Sequence, residues 1–410
     1  MPAWLGALAG AAALAGCAVA TPSPAGPGRS TAGQAARGAA PPGVMREPFS
    51  RLEGVYRQGR RAFVVTYQGW WLDLRSGQIR QLSPAGGAEP GEADFGYGPG
   101  WQVSAPIQGR LRFELDAAGN PVKVSGIAPG QMPVDAARVR TRAHDVRFPS
   151  TGAVIAATVT IPPGPGPHPG IVIVQGSGPL GRHFESISQG IYLSMGFAVL
   201  AFDKRGTGSS TGVYPGDLAT PQTIGIEAAD AAAAARFLLA QPQVDKRQVG
   251  FDGNSQGGWV APLAARRVPG IRFAILIAAP AVTANQQGVY ADFSGGSQYV
   301  PAEPNQVIDA AVRAAPGEGY DPAPALAALR IPALWIYGQL DRQVPVRVCV
   351  AKLASYHDRR WTVHVLAGGS HGLIATRHGL DTGLAAATRF APGYFAAVRA
   401  WVAAHLTFPR

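Results

Sequence analysis

The chain changes its hydrophobic rhythm near residue 150. From about Leu52 to Val146, short alternating runs such as AFVVTYQGWWLDL (62–74), QIRQL (78–82), RLRFELD (110–116) and PVKVSGI (121–127) are separated by Gly, Pro and Asn-Pro turn signals. A period of two over such lengths predicts a small antiparallel β domain spanning 49–145. Its Trp70, Trp71 and Trp101 are expected as core or cross-strand pairs rather than as a ligand face. Beyond it, apolar strand-like runs are expected at 153–161, 170–175, 197–203, 248–253, 273–279, 333–338 and 361–367, with helical stretches at 225–240, 257–267, 347–356 and 392–406. Strands alternating with helices predict an α/β domain over 146–410, a mostly parallel sheet flanked by helices. A polar, Gly- and Pro-rich stretch at about 283–331 breaks the alternation. It fits a small cap inserted over the carboxyl edge of the sheet, where open α/β sheets bind ligands.

The N-terminus changes the picture of where the chain works. Residues 3–15 are small and apolar, the length of a signal-peptide core and too short to span a bilayer. They end in Leu14-Ala15-Gly16-Cys17, which resembles a bacterial lipobox. That resemblance implies a signal peptide over 1–17, lipidation of Cys17 and a cell-envelope location, lipid-anchored, periplasmic or secreted. Residues 18–48, rich in Pro, Gly, Ala and Ser, are expected to be a disordered tether. Cys349, the only other cysteine, lies in a helical stretch and is expected as a buried small hydrophobe without a disulfide.

Composition narrows the partners. With 47% hydrophobic and 15% charged residues in 410, the chain can bury a large core. Its formal charge is +11, yet only Lys123, Lys204, Lys246 and Lys352 are lysines, and the arginines are scattered. No basic run or aromatic-interleaved patch appears, so nucleic acid is not expected as a partner, and membrane contact is expected only through the lipid anchor.

Three segments fit G-x-S-x-G, centred on Ser210, Ser255 and Ser370. A nucleophile elbow needs a strand running in, a helix running out and small residues at the strained turn. Only Ser255 meets all three, with QVGFDG before it, GGWVAPLAARR after it, and Gly253, Gly257 and Gly258 around it. Asp341 then follows the strand ALWIYG, and His371 follows the strand WTVHVLA. Ser, acid and His in this chain order, on loops after successive strands, read as a catalytic triad. A competing outline is Gly176-x-Gly178-x-x-Gly181 after an apolar strand, with Asp203 ending the next strand, as in dinucleotide-binding units. The hydrolase reading uses the same loop otherwise: the backbone N–H of Ser177 and that of Gln256 form an oxyanion hole.

The chain from about 146 onward resembles bacterial α/β-hydrolases of the esterase and serine-aminopeptidase-like type. The resemblance rests on Gln175-Gly-Ser-Gly-Pro179, Asp203-Lys-Arg-Gly-Thr-Gly-Ser209, Gly253-Asn-Ser-Gln-Gly-Gly258, Gly338-Gln-Leu-Asp-Arg-Gln-Val-Pro345 and Ser370-His-Gly372. Gln175 and Asn254 stand where the family usually or often has His. The expected function is hydrolysis of a small-molecule carboxylic ester through an acyl-enzyme on Ser255, in the carboxylesterase-like class, with no cofactor and no metal. A peptidase or thioesterase on the same triad, a dinucleotide-dependent oxidoreductase and a non-catalytic envelope binding protein are the alternatives. Among other polar residues, Asp203 and Arg205 are expected to pin a turn, Glu227 and Asp230 to suit a helix dipole, and Arg182 and His183 are candidates for substrate contact.

Overall fold

In the computed structural model, residues 49–85, 92–127, 133–296, 302–379 and 384–408 are described. The expected signal segment with Cys17 and the expected tether up to 48 lie outside the described residues. Alternating sequence over the first hundred described residues closes into a barrel. Its strands are β1 (Gly54–Gln58), β2 (Arg61–Val65), β3 (Trp70–Asp73), β4 (Ile79–Pro84), β5 (Glu92–Tyr97), β6 (Gly109–Leu115), β7 (Pro121–Ile127) and β8 (Val134–Arg138). Neighbours pair antiparallel in chain order, and β1 closes on β8. Closure removes the exposed edges that a small sheet would otherwise present. The inward positions Tyr56, Phe63, Trp71, Phe95 and Phe113 pack as one aromatic cluster. Trp71 stacks on Phe63 at 4.8 Å, so the barrel interior is core. Trp70 and Trp101 meet edge-on at 5.3 Å and belong to the cluster shared with the second domain.

The second domain carries an eight-stranded sheet of β9 (Arg142–Ser150), β10 (Ala153–Ile161), β11 (His168–Val174), β12 (Ala198–Phe202), β13 (Val244–Asn254), β14 (Ile271–Ile277), β15 (Ala333–Gly338) and β16 (Trp361–Leu366). The order is β16-β15-β14-β13-β11-β12-β10-β9. Strand β10 runs antiparallel to both neighbours, and β11 through β16 pair in parallel. This is an α/β-hydrolase sheet. Strand β9 is a difference from the sequence expectation, which ran the first domain to 145. It pairs with β10 through all nine residues and forms the sheet edge. An edge strand solvated on one face keeps the same period of two as the barrel strands, which hides the boundary.

Helices cover the two faces: α1 (Ser186–Met195), α2 (Pro221–Leu239), α3 (Gly257–Ala265), then α4 (Ala284–Phe293), α5 (Asn305–Ala314) and α6 (Ala323–Ala327) in the insertion between β14 and β15, followed by α7 (Val346–Ala354) and α8 (Tyr394–His405). Alternate residues of β11 separate the layers. Val172 and Val174 cluster with α2, α3 and α7, whereas Ile171 and Ile173 cluster with α1, α8 and the barrel. Helix α1 escapes the sequence reading because SISQGIYLSM is poor in strong helix formers; burial against the barrel stabilises it. Cys349 lies buried in α7 as expected, its thiol pushed up to about 12 by burial. Among the described residues no helix is long and apolar enough to cross a membrane.

The barrel seats on α1, α8 and the segment before it. Gly190 of α1 faces Val64, Trp101 N donates to Ala387 O at 2.8 Å, and Arg399 donates to Leu74 O at 3.0 Å. A side chain at Gly190 has no room, since a Cβ there would lie 2.4 Å from a Val64 methyl. Gly225 in α2 is the converse, since a Cβ there would lie 3.9 Å from its nearest neighbour, the Arg267 guanidinium. Gly190→Val is expected to cost about 1–3 kcal/mol by forcing the seam apart. Gly225→Ala is expected to gain up to about 1 kcal/mol from helix propensity. Denaturant midpoints of the two variants, one falling and one rising, check the seam.

Candidate active site

Strand β13 delivers the chain into a turn that only a tightly packed site tolerates. Ser255 has φ of 52°, the left-handed region, which costs a non-glycine residue on the order of 1–2 kcal/mol. Its N–H donates to Ile277 O at 2.9 Å, and its carbonyl accepts from Gly258 N at 2.8 Å to begin α3. The flanking glycines answer close approach. A Cβ at Gly257 would lie 2.3 Å from Val174 O, and one at Gly258 would lie 2.1 Å from the Ala279 Cβ. The serines of the other two G-x-S-x-G segments are committed to turns: Ser210 Oγ donates to Asp203 O, and Ser370 Oγ accepts from Ile374 N.

Two later loops bring an acid and a base to the elbow. His371 Nε2 lies 3.0 Å from Ser255 Oγ, and its Nδ1 lies 2.8 Å from Asp341 Oδ2. The Asp341 side chain is fully buried, and its Oδ1 accepts from Gln343 N at 2.7 Å and Val344 N at 2.9 Å. Those two amides fix the orientation of the carboxylate. Gly338, at the end of β15, lets the His loop cross it, since a Cβ there would meet Ser370 O at 2.1 Å.

The third part is the loop from 176 to 185. Gly176 packs on Ser255, a Cβ at Gly176 falling 3.4 Å from the Ser255 Cβ, so Ser177 and Gln256 lie in segments flanking the serine. Buried Lys204 holds this region together, donating to Gly176 O at 2.6 Å, Glu227 at 2.9 Å and Gln256 Oε1 at 3.4 Å. Tyr214 OH accepts from Gly178 N at 3.1 Å, and the Gln175 amide donates to Phe202 O.

Several polar residues differ from the sequence expectation. Arg182 is buried on Asp203, through its backbone N–H at 2.7 Å and its guanidinium at 2.8 Å, and is not presented to substrate. Burial alone would raise the Asp203 carboxyl, but Arg182 and the Ser209 amide hold it below the usual range. With both oxygens so engaged, Asp203 pins its turn as expected and has none left for a ribose hydroxyl. His183 stacks on Tyr67 of the barrel at 4.4 Å. Glu227 and Asp230 are partners in buried ion pairs with Lys204 and Arg205, the latter bidentate at 2.7 and 2.6 Å. Among the described residues no cluster of His, Cys, Asp and Glu could hold a metal ion.

Some residues at the site leave no trace in sequence pattern. From the cap, Tyr290 OH donates to Asp341 O at 2.8 Å and Gln287 donates to Gln343 O at 2.6 Å, so α4 grips the acid loop. Beneath the elbow, Glu185 accepts from Asn254 Nδ2 at 3.1 Å and from the Gly176 amide. Asp252, two residues before Asn254, accepts from Tyr192 OH at 3.0 Å, with Ser188 as a further side-chain partner. Burial pushes both carboxyls up to about 7, Glu185 against the pull of Asn254, Gly176, Lys204 and His371, and Asp252 with the added repulsion of Glu185. A pKa raised in the folded state favours folding fully below the unfolded value and loses that contribution as pH rises through the folded value. Wild type is therefore expected to lose stability between about pH 4 and pH 7 from these groups. Thermal melts of Asp252→Asn should match wild type near pH 4 and exceed it at pH 8.

Comparison with known proteins adds a lineage. Residues 182–397 match the prolyl oligopeptidase family, peptidase S9. No curated protein matches the chain. A 2,6-dihydroxy-pseudo-oxynicotine hydrolase is similar at 18% identity and a TM-score of 0.42, over 54% of this chain and 60% of that one. A Pyrococcus furiosus esterase is similar at 17% identity and a TM-score of 0.46, over 65% and 91% of the two chains. An acylaminoacyl peptidase from Pyrococcus horikoshii is similar at 14% identity and a TM-score of 0.46, over 85% of this chain and 55% of that one. This chain thus spans less than two-thirds of the first and the last of these proteins. The family match begins at Arg182, on the loop beside the elbow, and ends at Ala397 in α8, so it takes in Ser255, the cap and both later loops. Over more than half of its length, then, this chain is a member of the prolyl oligopeptidase family, a serine hydrolase on the α/β-hydrolase fold.

Proposed function

We propose that the protein hydrolyses carboxylic esters of small molecules by acyl transfer to water, with Ser255 as nucleophile. The observation that carries this reading is the unbroken line from Ser255 Oγ through His371 to a buried Asp341 with two backbone N–H donors. His371 Nε2 takes the hydroxyl proton as Ser255 Oγ attacks the carbonyl carbon. Asp341 fixes the imidazole tautomer and stabilises the imidazolium. The backbone N–H groups of Ser177 and Gln256 receive the oxyanion, each such donor being worth about 3–4 kcal/mol. Collapse breaks the ester bond, His371 returns the proton to the leaving oxygen, and water reverses the sequence to free the acid.

Family membership favours a second reading, cleavage of a peptide bond by the same residues. The ester reading is supported by three carboxylates around the elbow. Glu185, Asp252 and Asp341 are all buried, and each accepts hydrogen bonds from the protein itself, so these three are not presented to a substrate amine. The test is hydrolysis of p-nitrophenyl esters of increasing chain length beside aminoacyl p-nitroanilides, by wild type and Ser255→Ala. Esters should turn over, and the variant should lose several orders of magnitude in kcat. Faster cleavage of the anilides would favour the peptidase, and full activity in Ser255→Ala would remove Ser255 from the mechanism.

We also propose that the signal segment directs the protein to the cell envelope, with Cys17 as its lipid anchor. Labelled fatty acid should enter the full chain and not Cys17→Ala.

A further inference from the structure

The barrel touches the hydrolytic domain at one point that bears on the chemistry. Its β2–β3 turn, Thr66 to Gly69, is rigid. Gly69 N donates to Thr66 O at 2.9 Å and Trp70 N to Thr66 Oγ1 at 3.0 Å. Gly69 takes φ of 77° with the Phe49 ring where a Cβ would stand, 2.3 Å away. From β4, Gln81 Nε2 donates to Gln68 O at 3.1 Å and to Gly69 O at 3.2 Å. The turn therefore presents the Tyr67 and Gln68 side chains in fixed directions.

Both reach the end of the loop that begins at Gly176. Gln68 Nε2 donates to His183 O at 3.1 Å and Phe184 O at 3.3 Å, and its Oε1 accepts from Ser186 Oγ at 2.7 Å. Tyr67 stacks on the His183 ring, whose Nδ1 lies 3.5 Å from Glu53 Oε2. The residue enclosed by these contacts is Glu185, which turns back under the elbow to Asn254 and the Gly176 amide. One side-chain amide in the barrel thus holds the backbone just before, and the Ser186 side chain just after, a carboxylate that joins the two segments flanking Ser255.

We propose that the barrel is a positioning domain for hydrolysis: Gln68 holds the far end of the 176–185 loop and, through Glu185, keeps the Ser177 amide in register with Ser255. The assignment rests on the reading of Ser177 as an oxyanion donor. Gln68 touches neither substrate nor the reacting atoms, so it acts through geometry alone. An oxyanion donor displaced by a fraction of an ångström loses its effect on the transition state while leaving substrate binding intact. The signature is accordingly a fall in kcat without a matching rise in KM.

The experiment compares wild type, Gln68→Ala and Tyr67→Ala with Gln58→Ala, whose side chain among the described residues bonds within the barrel, to Pro133 O. Amide hydrogen exchange and p-nitrophenyl ester kinetics are read on the same preparations. In Gln68→Ala, exchange of peptides covering 176–185 should quicken severalfold and kcat fall about tenfold. KM should stay within about twofold and the melting temperature near wild type, while Gln58→Ala matches wild type throughout. Unchanged exchange in that segment, or faster exchange with unaltered kcat, overturns the proposal. If wild type shows no Ser255-dependent hydrolysis, the ester reading fails instead, and the exchange rates alone decide whether the barrel holds the loop.

Discussion

The backbone of Ser255 is the constraint on which the rest of the site depends. A serine at φ of 52° is held there because every neighbouring surface is pressed against it: Gly253, Gly257 and Gly258 give up side chains so that β11, β14 and α3 can approach within contact distance. The strain lifts the hydroxyl clear of the sheet, where His371 reaches it at 3.0 Å. Central parallel strands supply the rigidity, since β11, β13 and β14 pair through register-matched runs on both sides of the elbow. A turn on a softer scaffold would relax and withdraw the serine hydroxyl.

Rigidity around the elbow is completed by buried charge rather than by apolar packing alone. Asp203, Lys204 and Arg205 leave the same region of chain and pair with Arg182, Glu227 and Asp230. Such pairs contribute little net stability over a well-packed apolar replacement, because desolvation offsets most of the Coulomb gain. Their value is directional: losing one partner leaves a buried charge uncompensated at a cost of about 3–5 kcal/mol, so alternative loop arrangements are strongly disfavoured. Beneath them, Glu185 and Asp252 put two carboxyls where water does not reach, which keeps the pair largely neutral in acid and makes its ionisation cost stability as pH rises.

The legibility of this molecule in its sequence follows the same division. Strand after strand, the apolar runs from 153 to 367 announced a mostly parallel sheet, and chain order singled out Ser255, Asp341 and His371, which the fold then brings within hydrogen-bond reach. Strand β9 was hidden because an edge strand alternates like a barrel strand. Helix α1 was hidden because tertiary contact overrides its weak propensity. Glu227 and Asp230 looked like dipole partners because their place in a helix was visible and their cationic partners, more than twenty residues away, were not. Glu185, Tyr290 and Gln68 carry no local pattern at all, since each acts across a separation that only the folded topology closes.

Those three residues also show how the peripheral parts share the site. The cap reaches the acid: Tyr290 and Gln287 bond the backbone of the loop that carries Asp341. The barrel reaches the opposite side, through Gln68 to the segment that carries Glu185. In the proposed mechanism, base activation and oxyanion stabilisation would thus be supported by different parts of the chain, one inserted within the sheet and one preceding it. Because neither contact passes through Ser255 itself, each half of the chemistry is adjustable by substitutions that leave the nucleophile and its strained turn in place. Under the proposed mechanism, an enzyme so divided would have two independent routes by which its rate is tuned without rebuilding the elbow.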